Sequence, residues 1–196
     1  YWKRNISGRY GLLARIGLPQ GGNVRLEYAE KYGTTDNPNF KHVMSKVTMN
    51  DGCGGSLPEV RHGEHSVITS YEYEGGYYDR RRRDFYGFET VRTIFADGTV
   101  QVDEYNNREY YSNGCLERSR TYTKDGDMLS ASETTLRESP YAQPQCEYSW
   151  TYEKSSGASE FIHTSTEYKY DGYGNCVEIK QDFGDGESLA AEIIYD

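Results

Sequence analysis

The sequence predicts an all-β protein in which antiparallel hairpins run as a meander into a twisted sheet. Three observations carry that expectation. Apolar and polar residues alternate in short runs, as where Val24, Leu26 and Tyr28 interleave with Asn23, Arg25 and Glu27, the period of a strand with one dry face. Turn residues punctuate the runs throughout, with 21 glycines and five prolines in 196 residues. Tyrosine is abundant, at 20 residues, while hydrophobic content is only 35%, so rings that bury a face and wet a hydroxyl are the main packing material. So many aromatics also argue against disorder.

Taken in order, Tyr10 to Ile16 and Asn23 to Tyr28 flank Pro19-Gln-Gly-Gly22 and read as a hairpin. Thr34 to Phe40 is a loop by composition, and His42 to Met49 resumes as a strand that Asn50-Asp51-Gly52 ends. Ser66 to Glu74 is a strand leading into a glycine break at Gly75-Gly76. Val91 to Phe95 and Val100 to Tyr105 flank Asp97-Gly98, which reads as a type I′ turn because both residues tolerate positive φ. That turn places Phe95 opposite Val100, Thr93 opposite Val102 and Arg92 opposite Asp103. Asn106-Asn107 and Ser112-Asn113-Gly114 are further turns. Leu116 to Thr123 and Met128 to Leu136 form a hairpin around Lys124-Asp125-Gly126-Asp127. Tyr148, Trp150 and Tyr152 share one face of the next strand, and strands follow over Phe161 to Tyr170, up to Ile179, and from Ala191. No helix and no internal boundary is expected, so residues 1–196 read as a single all-β segment.

Bulk charge and sequence ends narrow the function classes. A net charge of −9 repels phosphate backbones and argues against nucleic-acid binding. No apolar run is long enough for a membrane helix. Neither an initiator Met nor a signal-peptide pattern stands at Tyr1, so the chain reads as a piece or processed product of something larger. Asn5-Ile6-Ser7 fits a glycosylation sequon. Cys53, Cys115, Cys146 and Cys176 form no C-x-x-C pair, which argues against a zinc ribbon. Four unpaired thiols are the commoner reading in a β protein of this size, and two disulfides the alternative in an oxidising compartment.

Candidate chemistry is sparse. His62-Gly-Glu-His65 is the one histidine cluster, but its spacing, its glycine and the want of a third ligand favour a solvated loop over a metal site. Glu72-Tyr73-Glu74 resembles the Glu-x-Glu of ADP-ribosyltransferases. In that family the Ser-Thr-Ser-like strand comes first, whereas the nearest match here, Thr164-Ser165-Thr166, comes far later, so strand alternation is the better reading. Arg80 to Arg83 is flanked by Asp79 and Asp84. In an acidic chain such a run pairs with carboxylates or stacks on tyrosines more often than it binds phosphate. No catalytic, cofactor-binding or metal-ligating set is therefore expected, and no enzymatic activity.

The residues around that arginine run carry a family resemblance. Tyr71-x-Tyr73-x-Gly75-Gly76-Tyr77-Tyr78-Asp79, then Arg83-x-Phe85-Tyr86-Gly87-Phe88 and Val91, resembles the signature of the insecticidal toxin-complex B component and of Salmonella virulence plasmid B-type proteins in their N-terminal part. Gly11-Leu12-Leu13 to Ile16, Lys46 to Gly52 and Tyr105 to Tyr111 resemble that family too. Tyr170-Asp171-x-x-Gly174-Asn175, preceded by Tyr168, is similar to the YD repeat of Rhs proteins, with degenerate copies at Tyr122 to Gly126 and Phe95 to Gly98. The resemblance implies β ribbons that spiral into a hollow shell around a cytotoxic C-terminal domain. This chain would be a non-catalytic segment of that wall, with Phe85, Tyr86 and Phe88 as core or wall contacts. It also implies a secreted or cell-surface bacterial protein whose partners are the rest of its own polypeptide and other toxin-complex subunits, with no nucleic acid and no membrane span. The self-cleaving aspartates of the family find no matching motif here. The competing expectation is a cell-surface adhesin or carbohydrate-binding β module, in which tyrosines and tryptophans stack on a glycan.

Overall fold

The computed structural model describes residues 11–31, 33–52, 65–137, 143–155, 158–184 and 186–195, with backbone alone at 152–155 and 158–161. It is all-β. Twelve strands follow one another: β1 Arg15–Gly17, β2 Asn23–Lys31, β3 Lys41–Asn50, β4 Ser66–Asp79, β5 Asp84–Ile94, β6 Val100–Tyr105, β7 Leu116–Tyr122, β8 Met128–Leu136, β9 Pro144–Ser155, β10 Ala158–Tyr170, β11 Cys176–Asp182 and β12 Ser188–Glu192. They form one sheet whose spatial order is the sequence order, and no helix occurs among the described residues. Antiparallel neighbours can be joined by a short connection, as between β4 and β5, β5 and β6, and β7 and β8.

The chain divides into two compact units, one of residues 1–72 and 93–96, the other of 73–92 and 97–196. In the first, β2 pairs with β1 and β3, and β3 pairs with the start of β4. The register sets Leu26 against Val47 and Val24 against Met49. In the second, β6 to β12 pair in unbroken succession. One-residue slips between Glu104 and Tyr105, Thr121 and Tyr122, Thr135 and Leu136, and Lys169 and Tyr170 mark bulges near strand ends.

Most strand residues are half-buried, as in a sheet with no helix packed on it. Among the described residues Tyr86 and Cys146 are the buried apolar side chains, while Asn37, Asp103, Asn107 and Ser112 are buried polar ones. Stability therefore rests on cross-strand pairs rather than on a deep core. Phe85 and Phe88, expected as core or wall contacts, are half-buried, and Tyr86 beside them is the buried ring.

Two local expectations are corrected. The glycine pair Gly75-Gly76 does not break the strand. β4 runs through it, and Gly75 takes φ +66° inside the strand as a local distortion. The Asp97-Gly98 connection is not type I′, since Gly98 has φ +87° but Asp97 lies outside the positive-φ region.

Candidate functional site

The β4–β5 hairpin is held by a side chain from a distant loop. Asn107, only 1% exposed, donates from Nδ2 to the Gly75 carbonyl at 2.7 Å and to the Gly87 carbonyl at 3.3 Å. Both carbonyls belong to glycines with positive φ, +66° and +89°. The amide thus satisfies backbone acceptors at these positions of both strands. Gly75 admits no side chain, because an added Cβ would sit 2.6 Å from Glu89 Cβ.

The hairpin tip is organised by Asp79. Its carboxylate accepts from the backbone N–H groups of Arg81 at 2.8 Å and Arg82 at 3.2 Å, and from the Tyr86 hydroxyl at 3.2 Å. The Arg82 amide bond, with those of Arg81 and Tyr86, holds the Asp79 carboxyl below its ordinary pKa, while burial and the Asp79 charge push the Tyr86 phenol up. Arg82 lies 3.6 Å over the Tyr110 ring, and Arg108 lies 4.5 Å over Tyr77. The arginine run is therefore a stacking and turn-capping device at Arg82, as carboxylates and tyrosines nearby led us to expect.

The YD-like residues form a turn with an evident mechanism. The Asp171 N–H donates to the Asn175 carbonyl at 2.9 Å and Gly174 N–H returns to Asp171 O at 3.3 Å, closing a three-residue loop with Gly174 at φ +92°. The Asp171 side chain accepts from Tyr173 N–H, Asn175 N–H and Asn175 Nδ2, each within 2.9 Å. Those bonds, the Asn175 side chain first, lower the Asp171 pKa. Tyr168 donates to Glu147 at 2.6 Å and Tyr170 to the Pro144 carbonyl at 2.7 Å, so both tyrosines tie β10 to β9. The Glu147 bond, aided by burial, pushes the Tyr168 phenol up to about 12. Thr123 to Asp127 repeats the loop, with Thr123 N–H on Asp127 O and Gly126 N–H on Thr123 O.

The two faces of β6 to β10 differ in chemistry. On one, Asp103, Ser119, Ser132, Ser149 and Thr164 stand in a single cross-strand row, beside a parallel row of Gln101, Thr121, Ser130 and Thr151. Ser119 Oγ donates to Asp103 at 2.6 Å, and Ser149 and Thr164 hydroxyls share a bond of 2.7 Å. On the other, Glu104, Arg118, Glu133 and Tyr148 stand in one row, with Arg118 bridging Glu104 at 2.8 Å and Glu133 at 3.2 Å. Trp150, Tyr148 and His163 gather there with ring centroids 5.4–6.0 Å apart. Tyr148 is stacked with Trp150 and with His163, and Trp150 is tilted 42° to His163, so the cluster covers part of the ring surface that a sugar would need.

The remaining candidates do not assemble. His62 lies outside the described residues, as do Cys53 and the sequon at Asn5. His65 meets Asp51 at 3.2 Å on an exposed edge. Glu72 and Glu74 are exposed at period two on β4, while Thr164, Ser165 and Thr166 lie on β10. No group of three or more potential metal ligands occurs among the described residues, and Cys115, Cys146 and Cys176 are free thiols. What sequence reasoning missed is Asn107, which reads as one half of a turn dipeptide. Its partners are 32 and 20 residues away, and nothing in its own neighbourhood signals them.

Comparison with known proteins gives a consistent result. The sequence matches the family described as the insecticide toxin TcdB middle/N-terminal region over residues 1–118. No curated protein matches. Among solved structures, a TcdB2–TccC3–Cdc42 crystal structure superimposes with TM-score 0.65 at 14% identity over 87% of this chain. A TcdB2–TccC3–TEV structure gives TM-score 0.67 at 13% identity over 87% of this chain. A Photorhabdus luminescens Tc holotoxin pore gives 0.66 at 12% identity over 87%. The chain spans about 12% of the length of each of these chains. At such identities the likeness is one of fold.

Proposed function

Since the chain belongs to the insecticide toxin TcdB middle/N-terminal family, we propose that residues 1–196 are one non-catalytic segment of the wall of a secreted bacterial toxin-complex shell, which encloses a toxin until delivery. The observation that carries this reading is the sequence-ordered meander. Each strand pairs with the next one in the sequence, so the sheet grows by repeated antiparallel addition, as a wall must. The two unlike faces of β6 to β10 fit a wall with an inside and an outside. Its partners are then the rest of its polypeptide and other toxin-complex subunits, as in the TcdB2–TccC3 assemblies it resembles. A glycan-binding module finds less support, because the Tyr148, Trp150 and His163 rings spend their faces on one another.

The test is protease protection of the enclosed toxin in the full-length assembly. The intact assembly should shield the toxin from added protease, and Asn107→Ala, which loosens the β4–β5 hairpin, should raise its rate of digestion. Equal digestion of free and assembled toxin would overturn the shell reading.

A further inference from the structure

The first unit carries a cationic recess that the wall role does not use. β1 and β2 set Arg15 directly opposite Arg25, and β3 places Thr48 opposite Arg25 in the same row. The next row of that face is Gly17, Asn23 and Asn50. Gly17 contributes no side chain, and a Cβ there would meet nothing within 4 Å, so no side chain from β1 stands in that row beside the arginines. Arg15, Asn23, Arg25, Thr48 and Asn50 line a cavity of about 380 Å³.

Two like charges directly opposite across an antiparallel pair repel, and neither of these exposed guanidiniums forms an ion pair among the described residues. Glu27, in the next row of that face, stands opposite Lys46 and lies 3.9 Å from it. The Asn23 amide and the Thr48 hydroxyl likewise form no hydrogen bond among the described residues. Asn50 is anchored, its Oδ1 accepting from Gly52 N–H at 2.8 Å. The recess therefore gathers guanidinium forks, an amide and a hydroxyl, all able to donate. Planar forks match a tetrahedral oxyanion in two-point fashion. The chain's net charge of −9 does not cancel this, because charges beyond about a Debye length of roughly 8–10 Å are screened while the arginines are in contact range.

We propose that the Arg15–Arg25–Thr48 face of β1–β3 binds a phosphate or sulfate group, carried as an ester on a sugar-sized molecule. The volume argues for the ester, since about 380 Å³ falls in the range of small-molecule pockets, roughly 300–1,000 Å³, and exceeds what a bare ion fills.

Calorimetric titration of the full chain at low ionic strength tests this with four probes: inorganic phosphate, inorganic sulfate, glucose 6-phosphate and glucose 6-sulfate. Saturable binding of one equivalent is expected, tighter for the esters. Arg15→Gln with Arg25→Gln should weaken it about tenfold or more. Arg25→Lys keeps the charge but loses the fork and should fall between. Melting curves give an independent readout that a purely structural role would not move. Without anion the double variant should melt no lower than the parent chain, because a repulsion is relieved, and 50-fold excess ester (on the order of saturation) should raise the parent's midpoint alone. Inorganic ions that bind as tightly as the esters would keep the site and name the free anion as its ligand. Absence of saturable binding by all four probes, or binding that survives in both variants, overturns the proposal.

Discussion

Asn107 shows how far a single amide can organise a sheet. Its Nδ2 is the donor for the carbonyls of two glycines that hold positive φ. Removing it takes a buried donor from both, each bond worth roughly 0.5–1.5 kcal/mol. Asn107→Ala should therefore destabilise the protein by about 1–3 kcal/mol in denaturant melts. Asn107→Asp should be at least as damaging, because a carboxylate can only accept and would face two carbonyl oxygens. A loss under about 0.5 kcal/mol in both would show that the contact is incidental. Tyr168 offers a second test at this scale. Its hydroxyl donates to Glu147, and its pKa stands near 12 against an ordinary value of 10.0. The protonated phenol is the favoured folded form, so this bond's stability contribution is complete below pH 10.0 and is lost as pH rises toward about 12. Glu147→Gln should move the phenol back toward 10.0, as followed by ultraviolet titration of tyrosinate.

Glycines decide which elements can form. Gly126 sits at φ +95° in the β7–β8 loop, and an added Cβ would meet nothing. Gly126→Ala should thus cost only the left-handed backbone penalty, about 1–2 kcal/mol. Gly75 combines φ +66° with a Cβ position 2.6 Å from Glu89 Cβ, on backbone that Asn107 holds in place. Gly75→Ala should be clearly more destabilising than Gly126→Ala in paired chemical melts, and equal costs would mean that β4 relaxes around the substitution. The strands were legible because their signals are local: period-two alternation from Asn23 to Tyr28, and Lys124-Asp125-Gly126 at the head of a hairpin. The type of the Asp97-Gly98 turn was not, since a dipeptide that tolerates positive φ does not compel it. Gly75-Gly76 likewise reads as a break, although a strand held by Asn107 passes through it. Asn107 and the Arg15–Arg25 recess depend on register between separate strands, which no window of sequence contains.

At the scale of the whole molecule, the sequence-ordered sheet leaves its last strand as a margin. β12 bonds inward to β11 with Lys180 opposite Ala190 and Ile179 opposite Ala191. Ile193 N–H donates to Val177 O at 2.9 Å, which fixes the bonding phase. Odd-numbered residues of this strand turn their N–H toward β11, so Ala190 and Glu192 turn theirs outward. All five β12 residues are exposed, and Leu189, Ile194 and Tyr195 add apolar surface at this margin. An unpaired edge of this kind is a template for another strand. The isolated chain should therefore self-associate with rising concentration in sedimentation velocity. Ala190→Pro removes an outward donor without costing a bond to β11, and should weaken association while leaving the unfolding free energy within about 0.5 kcal/mol of the parent. Ala191→Pro removes an inward donor and should instead unpair β12 from β11. If Ala190→Pro associates as the parent does, the contact lies elsewhere and the β12 edge is not the surface by which this wall grows.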